Sequence, residues 1–178
     1  VYSNLLFPPQ KLFQLEDNRI LVIGMNGEIQ ILDENLIAEF EHKKPFPTSI
    51  SISSVSKNTL FACWIDLELM IARMASINLD SKINNGITRA ELRRKLESKS
   101  QPQVESSTWS HILDSEPLAL ISNEQFIVFN SWKRGLYCVD HESNELWRIP
   151  EIKWKNKIKN ANIIISIEIT DKGLLVWS

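Results

Sequence analysis

The chain has 178 residues, of which 43% are hydrophobic and 24% are charged, and its formal net charge is −2. This is the composition of a globular chain long enough to bury a core, without the basic surplus of proteins that neutralise many phosphates. No apolar run reaches the roughly 18 residues of a membrane-spanning helix, and two cysteines are too few for a disulfide framework, so we expect a soluble, cytoplasmic protein with reduced thiols.

Four segments of similar design follow one another along the chain. Each has a β-rich run, a polar turn and a second apolar run, and the second runs are DNRILVIG from Asp17, KNTLFACW from Lys57, NEQFIVFN from Asn123 and DKGLLVWS from Asp171. This pattern predicts β-hairpins. Equivalent positions are spaced by 40, 66 and 48 residues, at Leu21, Phe61, Ile127 and Leu175. A period of about 40 to 50 residues with four short strands per unit is typical of β-propeller blades, and the longest spacing indicates an insert.

Two of the units share a further feature in their second halves. GEIQILDENLIAEF ends in Phe40, and GLYCVDHESNELW ends in Trp147. In both, an aspartate precedes the aromatic residue by 7 positions, Asp33 in the first and Asp140 in the second. We expect each aspartate to accept hydrogen bonds from turn amides and each aromatic side chain to pack against the neighbouring sheet.

The stretch CVDHESNELW resembles the repeat of the pyrroloquinoline-quinone-type β-propellers, to which WD-repeat blades are related. The family pattern is Ala-x-Asp-x-x-Thr-Gly-x-x-x-Trp, and the corresponding residues here are Cys138, Asp140, Ser143, Asn144 and Trp147. The turn is one residue shorter than in the family, and Ser and Asn replace Thr and Gly. The resemblance implies a propeller fold. Dehydrogenases of the family also bind a quinone and a metal ion near the propeller axis.

We therefore predict an all-β domain of about three and a half antiparallel four-stranded blades with one short helical insert. The units are 11–42, 47–109 with the insert 81–109, 111–152 and 161–178. An open array of blades exposes strand edges, so we expect the chain to be part of a larger propeller, completed by further residues or by a second chain. A β-sandwich is the alternative fold, because the same alternation of residues builds one.

The insert is predicted to contain a helix. Thr88 and Glu91 have the spacing of a capping box, and Leu92 and Leu96 lie four residues apart. A basic helix of this kind can dock on an acidic protein surface or a nucleic-acid backbone, or it can be a solvated face. Its candidate partner-binding residues are Arg89, Arg93, Arg94 and Lys95.

Two aromatic–basic stretches are further candidates for partner binding. Trp132, Lys133 and Arg134 are predicted to form a hairpin tip, which either contacts a partner or folds over its own blade. Trp154 lies among four lysines in EIKWKNKIKN, residues 151 to 160, a stretch suited to single-stranded nucleic acid or simply to a solvated linker.

Catalytic constellations are mostly absent from the sequence, and nothing singles out a Ser-His-Asp triad, which would assemble only in space. His42, His111 and His141 are scattered, and neither a Gly-rich phosphate loop nor a Gly-x-Ser-x-Gly elbow is present. We therefore expect a non-catalytic scaffold that mediates protein–protein interaction without a cofactor or a metal ion. The alternatives are a nucleic-acid-binding propeller that uses the basic insert and linker, and an enzyme similar to the quinone-dependent dehydrogenases.

Overall fold

The computed structural model describes residues 5–150 and 163–178. Over these residues the chain forms thirteen strands and one helix, and the strands assemble into four antiparallel sheets. In every sheet the strands are neighbours in the order in which they occur along the chain. The all-β class, the antiparallel sheets and the single helical insert are as predicted.

The first sheet contains β1 (Pro9–Gln14), β2 (Ile20–Gly24) and β3 (Ile29–Leu32). The second contains β4 (Ile50–Ser56), β5 (Thr59–Asp66), β6 (Ile71–Asn78) and β7 (Ser107–Leu113), with helix α1 (Arg89–Glu97) between β6 and β7. The third contains β8 (Pro117–Ser122), β9 (Ile127–Ser131), β10 (Gly135–Val139) and β11 (Glu145–Ile149). The fourth contains β12 (Ser166–Thr170) and β13 (Gly173–Trp177).

The sheets are arranged with their first strands together. Strand β8 contacts β4 on one side and β12 on the other. A cavity of about 360 Å³ is lined by residues of all four sheets, among them Lys11, Ser53, Leu120 and Ile167. The first strands thus surround a common axis, while the later strands of each sheet lie farther from it.

Three apolar clusters join successive sheets. The largest lies between the first and second sheets and includes Leu21, Ile29 and Trp64, all fully buried. A second cluster joins the second sheet to the third, and its buried members are Phe61, Cys63, Met74, Ile127 and Phe129. A third cluster joins the third sheet to the fourth, and its buried members are Ala119, Val128, Leu136, Cys138, Ile164 and Ile167. Each sheet is thereby held by its neighbours more than by a common centre.

Helix α1 begins as the sequence predicts. The hydroxyl of Thr88 accepts a hydrogen bond from the backbone N–H of Glu91, and the Glu91 carboxylate accepts one from the Thr88 backbone at 2.8 Å, so the capping box is complete. Leu92 is fully buried in the cluster between the first and second sheets. Leu96, four residues later, packs against the same cluster and is partly buried, so both leucines anchor the helix to the core.

The insert is shorter than the sequence suggested. The sequence places Trp109 in the insert 81–109, but strand β7 begins at Ser107, so Trp109 lies in the fourth strand of the second sheet. Residues 111–113, assigned to the third unit, complete the same strand. The polar residues before Ser107 and the lack of a regular alternation in STWSHIL conceal this strand from sequence analysis.

The two repeated aspartates fix turns, as predicted. Asp33 Oδ1 accepts hydrogen bonds from the N–H groups of Asn35 and Ile37 at 2.9 and 2.8 Å. Asp140 accepts from the backbone and side-chain nitrogens of Asn144 at 2.7 and 2.8 Å, and these bonds lower the pKa of Asp140.

The two aromatic residues of the repeat also behave as predicted. Phe40 packs against the cluster between the first and second sheets, and Trp147 packs against the cluster between the third and fourth. In both cases the aromatic side chain that ends one unit contributes to the core shared with the next.

Candidate partner-binding site

The turn between β5 and β6 is a meeting point for two regions that the sequence singled out. Helix α1 begins beside this turn, and the turn between β9 and β10, which carries Trp132, lies on its other side. Asp66 ends β5, and its Oδ1 accepts a hydrogen bond from the N–H of Leu69 at 3.0 Å. The buried carboxylate of Asp66 therefore fixes the shape of the turn.

Arg89 attaches the helix to that turn. Its guanidinium lies 2.8 Å from Asp66 Oδ2 and 2.7 Å from Glu68 Oε2. Arg93, one helical turn later, also pairs with Glu68. Two of the four basic candidates on the helix are thus engaged by acidic residues of the same chain.

Arg94 and Lys95 lie elsewhere on the helix. Both are exposed, and together with Glu91 and Ser98 they line a shallow depression away from the β5–β6 turn. The structure therefore does not bring the four basic candidates together into one cationic surface.

Trp132 is exposed at the β9–β10 turn. The side chain is 44% exposed, and the Lys133 ammonium lies 4.4 Å from the centre of its ring. The backbone N–H of Trp132 donates a hydrogen bond to the backbone carbonyl of Glu116 at 2.8 Å. The Arg134 guanidinium pairs with the Asp114 carboxylate at 2.8 Å. Both bonds tie the turn to the connection between β7 and β8. The remaining candidate, Trp154, lies outside the described residues.

An apolar groove separates the two turns, and we call it the turn groove. It has a volume of about 310 Å³, and its apolar lining includes Leu67, Met70, Ala72, Leu113 and Trp132. Leu67 is 71% exposed and Met70 is 86% exposed. Large side chains at this degree of exposure, side by side on two hairpin turns, form a surface suited to binding a partner.

Sequence analysis found Trp132 but missed Leu67 and Met70. A signal was available, because these two large apolar residues occupy the turn of a hairpin, where polar residues are the rule. The sequence carries no local pattern that predicts their proximity to Trp132, because more than 60 residues separate them from it.

Within residues 5–150 and 163–178, no three His, Cys, Asp or Glu side chains are grouped as metal ligands, and no helix is long and apolar enough to cross a bilayer. Burial raises the pKa of the thiols of Cys63 and Cys138, which disfavours the reactive thiolate of either residue.

Comparison with known proteins identifies the fold. No family model matches the chain, and no curated protein is significantly similar to it in sequence. Among solved structures, BamB from Moraxella catarrhalis superposes with a TM-score of 0.58 at 6% identity, over 93% of this chain and 39% of BamB. The β-propeller domain of Cps50 (Swd1) from Myceliophteria thermophila superposes with a TM-score of 0.60 at 12% identity, over 98% of this chain and 50% of that chain.

The chain therefore folds as a partial β-propeller, as predicted, and the sandwich alternative is set aside. It spans half or less of the length of these two structures. At these levels of identity the similarity establishes the fold alone.

Proposed function

We propose that the chain is a non-catalytic part of a β-propeller that binds a protein partner through the turn groove. The observation that carries this proposal is the exposure of Leu67, Met70 and Trp132 beside one another on adjacent sheets. Contiguous exposed apolar side chains on a folded protein typically mark a binding site, and tryptophan is enriched among the residues that dominate binding energy. The cytoplasmic location expected from the sequence forms part of the same proposal.

We further propose that additional blades complete the propeller. In the described residues the fourth sheet has two strands, so one edge of β13 has no partner strand, and Leu175 and Trp177 on it are 50% and 44% exposed. Leu12 of β1, beside the axis, is 62% exposed. An open edge with apolar side chains favours pairing with a further strand.

The two alternatives have less support. For nucleic-acid binding, Arg89 and Arg93 are paired with carboxylates, which leaves fewer cations for phosphate contacts. For a quinone-dependent enzyme, the described residues bring together no acidic cluster suited to a metal ion.

Site-specific cross-linking in the native cell tests the partner site. A photo-reactive residue is introduced by Trp132→benzoylphenylalanine and, as control, by Glu142→benzoylphenylalanine in the exposed turn at the opposite end of the third sheet. We expect a discrete protein adduct from position 132 and none from position 142. Equal adducts from the two positions, or none from position 132, would contradict the proposed site.

The mass of the purified 178-residue chain in solution tests completion of the propeller. We expect concentration-dependent association, because the β13 edge is open. A stable monomer at all accessible concentrations would overturn this part of the proposal.

A further inference from the structure

The charged residues that line the turn groove are all acidic, while the cations nearest to it lie just outside its lining. Asp66, Asp114 and Glu116 line it, and no lysine or arginine of the described residues does. Asp66 and Asp114 are neutralised from outside the groove, by Arg89 and Arg134. Glu116 is exposed and forms no ion pair with any residue in 5–150 or 163–178. The groove therefore presents an apolar floor with one carboxylate at its rim that has no direct ion pair in the described part of the chain, although Arg89 lines the adjoining depression with it.

The dimensions of the groove suit a short piece of a partner. A volume of about 310 Å³ is at the lower end of the range of sites that enclose a small ligand or a few side chains. Met70 has an unbranched, polarisable side chain that adapts to the shape of an apolar group, and Trp132 lines the groove with it. An aliphatic side chain of a partner fits between them better than a charged one.

The walls of the groove are held in place before any partner binds. Two interactions of Asp66 hold the β5–β6 turn: a hydrogen bond from the backbone N–H of Leu69 and an ion pair with Arg89. The β9–β10 turn is held by the hydrogen bond from the backbone N–H of Trp132 to the backbone carbonyl of Glu116. A site that is already ordered loses less conformational entropy on binding.

From these observations we propose that the turn groove binds a peptide segment of a protein partner in which an aliphatic side chain adjoins lysine or arginine. The aliphatic group packs between Met70 and Trp132, and the cation pairs with Glu116. This proposal rests on the proposed function, because it names the chemistry of the partner at the same site.

Binding of three labelled synthetic peptides to the 178-residue chain tests it, by fluorescence anisotropy. The probe is Gly-Lys-Ile-Leu-Arg-Gly, the charge control has Glu in place of Lys and Arg, and the apolar control has Ser in place of Ile and Leu. We expect the probe to bind with a dissociation constant in roughly the micromolar range. Both control peptides should bind at least about tenfold more weakly, because each lacks one of the two complementary features.

Three variants separate the groove from the rest of the surface. Trp132→Ala should weaken probe binding roughly 30-fold, as expected for an aromatic residue at the centre of a contact. Glu116→Lys should weaken it about three- to tenfold, and added salt should reduce the difference. Glu142→Lys, with the same charge change at the other end of the third sheet, should alter it less than about twofold.

The outcomes distinguish this proposal from the one on which it rests. Equal binding of the probe and its acidic control, or equal effects of Glu116→Lys and Glu142→Lys, would overturn the proposed peptide chemistry. Absence of probe binding would overturn it too, while a cross-linked adduct at position 132 would still support the partner site. Circular dichroism of each variant checks that a loss of binding is not a loss of fold.

Discussion

Trp109 connects the second and third sheets by a hydrogen bond and by stacking. Its indole Nε1 donates to the carbonyl oxygen of His141 at 2.7 Å, and its ring stacks on Phe61 and His111. His141 directly follows Asp140, whose side chain fixes the turn, so the acceptor is held where Trp109 needs it. The repeated aspartate and the aromatic residue of the preceding sheet thus act together at this boundary.

The role of Asp140 and Trp147 was predictable from the repeat, whereas that of Trp109 was not. The first two residues occur in a pattern with a second copy at Asp33 and Phe40, and the copies share one spacing. Trp109 occurs without a preceding Asp at that spacing, because the insert replaces the usual turn. Its function depends on His141, 32 residues away, and a contact of that kind leaves no local pattern.

Replacing Trp109 tests the value of this connection. Trp109→Phe keeps an aromatic ring but removes the donor to His141, so it should lower the free energy of unfolding by about 1 kcal/mol. Trp109→Ala also removes the stacking and should cost about 2 to 3 kcal/mol. Urea denaturation measures both. Trp132→Phe is the matched control, expected within about 0.5 kcal/mol of wild type because that side chain is exposed. Equal effects of the two Phe substitutions would show that the His141 bond contributes nothing.

At the scale of elements, helix α1 was predicted more completely than any strand boundary around it. Its start is encoded locally by Thr88 and Glu91, and its composition favours a helix. Its position was not encoded locally, because Leu92 packs into a cluster formed mainly by the first two sheets and Arg89 pairs with Asp66 at the end of β5. Arg89, one of the basic residues that indicate a docking helix in the sequence, therefore holds the helix to its own blade.

Arg89 and Arg93 provide a direct comparison of these two roles. Both pair with Glu68, but only Arg89 also pairs with Asp66, whose side chain is 4% exposed. Arg89→Ala leaves the Asp66 carboxylate without its cation and should lower the free energy of unfolding by about 1 to 2 kcal/mol, the partial exposure of Arg89 reducing the effect. Arg93→Ala removes a surface pair and should cost less than about 0.5 kcal/mol.

Thermal and urea denaturation of the two variants make this comparison. Because alanine is the best helix former, a change in helix propensity does not explain a loss of stability in either variant. A destabilisation by Arg93→Ala equal to that by Arg89→Ala would refute the structural role assigned to the Asp66 pair.

At the scale of the whole molecule, sequence analysis recovered the number of sheets and their order but not the surfaces that they share. Hairpins are visible because strand alternation and turn residues are local, and the repeat assigns each hairpin to a unit. The turn groove combines Leu67, Met70 and Trp132 from different sheets, and its shape depends on how two sheets pack. The same holds for the three clusters between sheets, since each draws residues from two units.

Because each sheet is held mainly by the sheets next to it, we predict that the sheets differ in local stability. The second sheet has neighbours on both sides, and β5 and β6 are almost entirely buried. Within residues 5–150 and 163–178, the fourth sheet has two strands and contacts the third sheet, and Ile167 is its one buried strand residue. A hairpin of two strands is marginal by itself, so its stability depends on that one contact surface.

Native-state hydrogen exchange, measured residue by residue, tests this difference. Amides of β5 and β6 should exchange at least about 100-fold more slowly than those of β12 and β13, because local opening costs less where fewer apolar contacts are broken. Measurement at two protein concentrations is the control, since association through the open β13 edge would protect the fourth sheet only at the higher one. Uniform exchange of all four sheets at low concentration would mean that the partial propeller opens as one cooperative unit, and the sheet-by-sheet account of its stability would then fail.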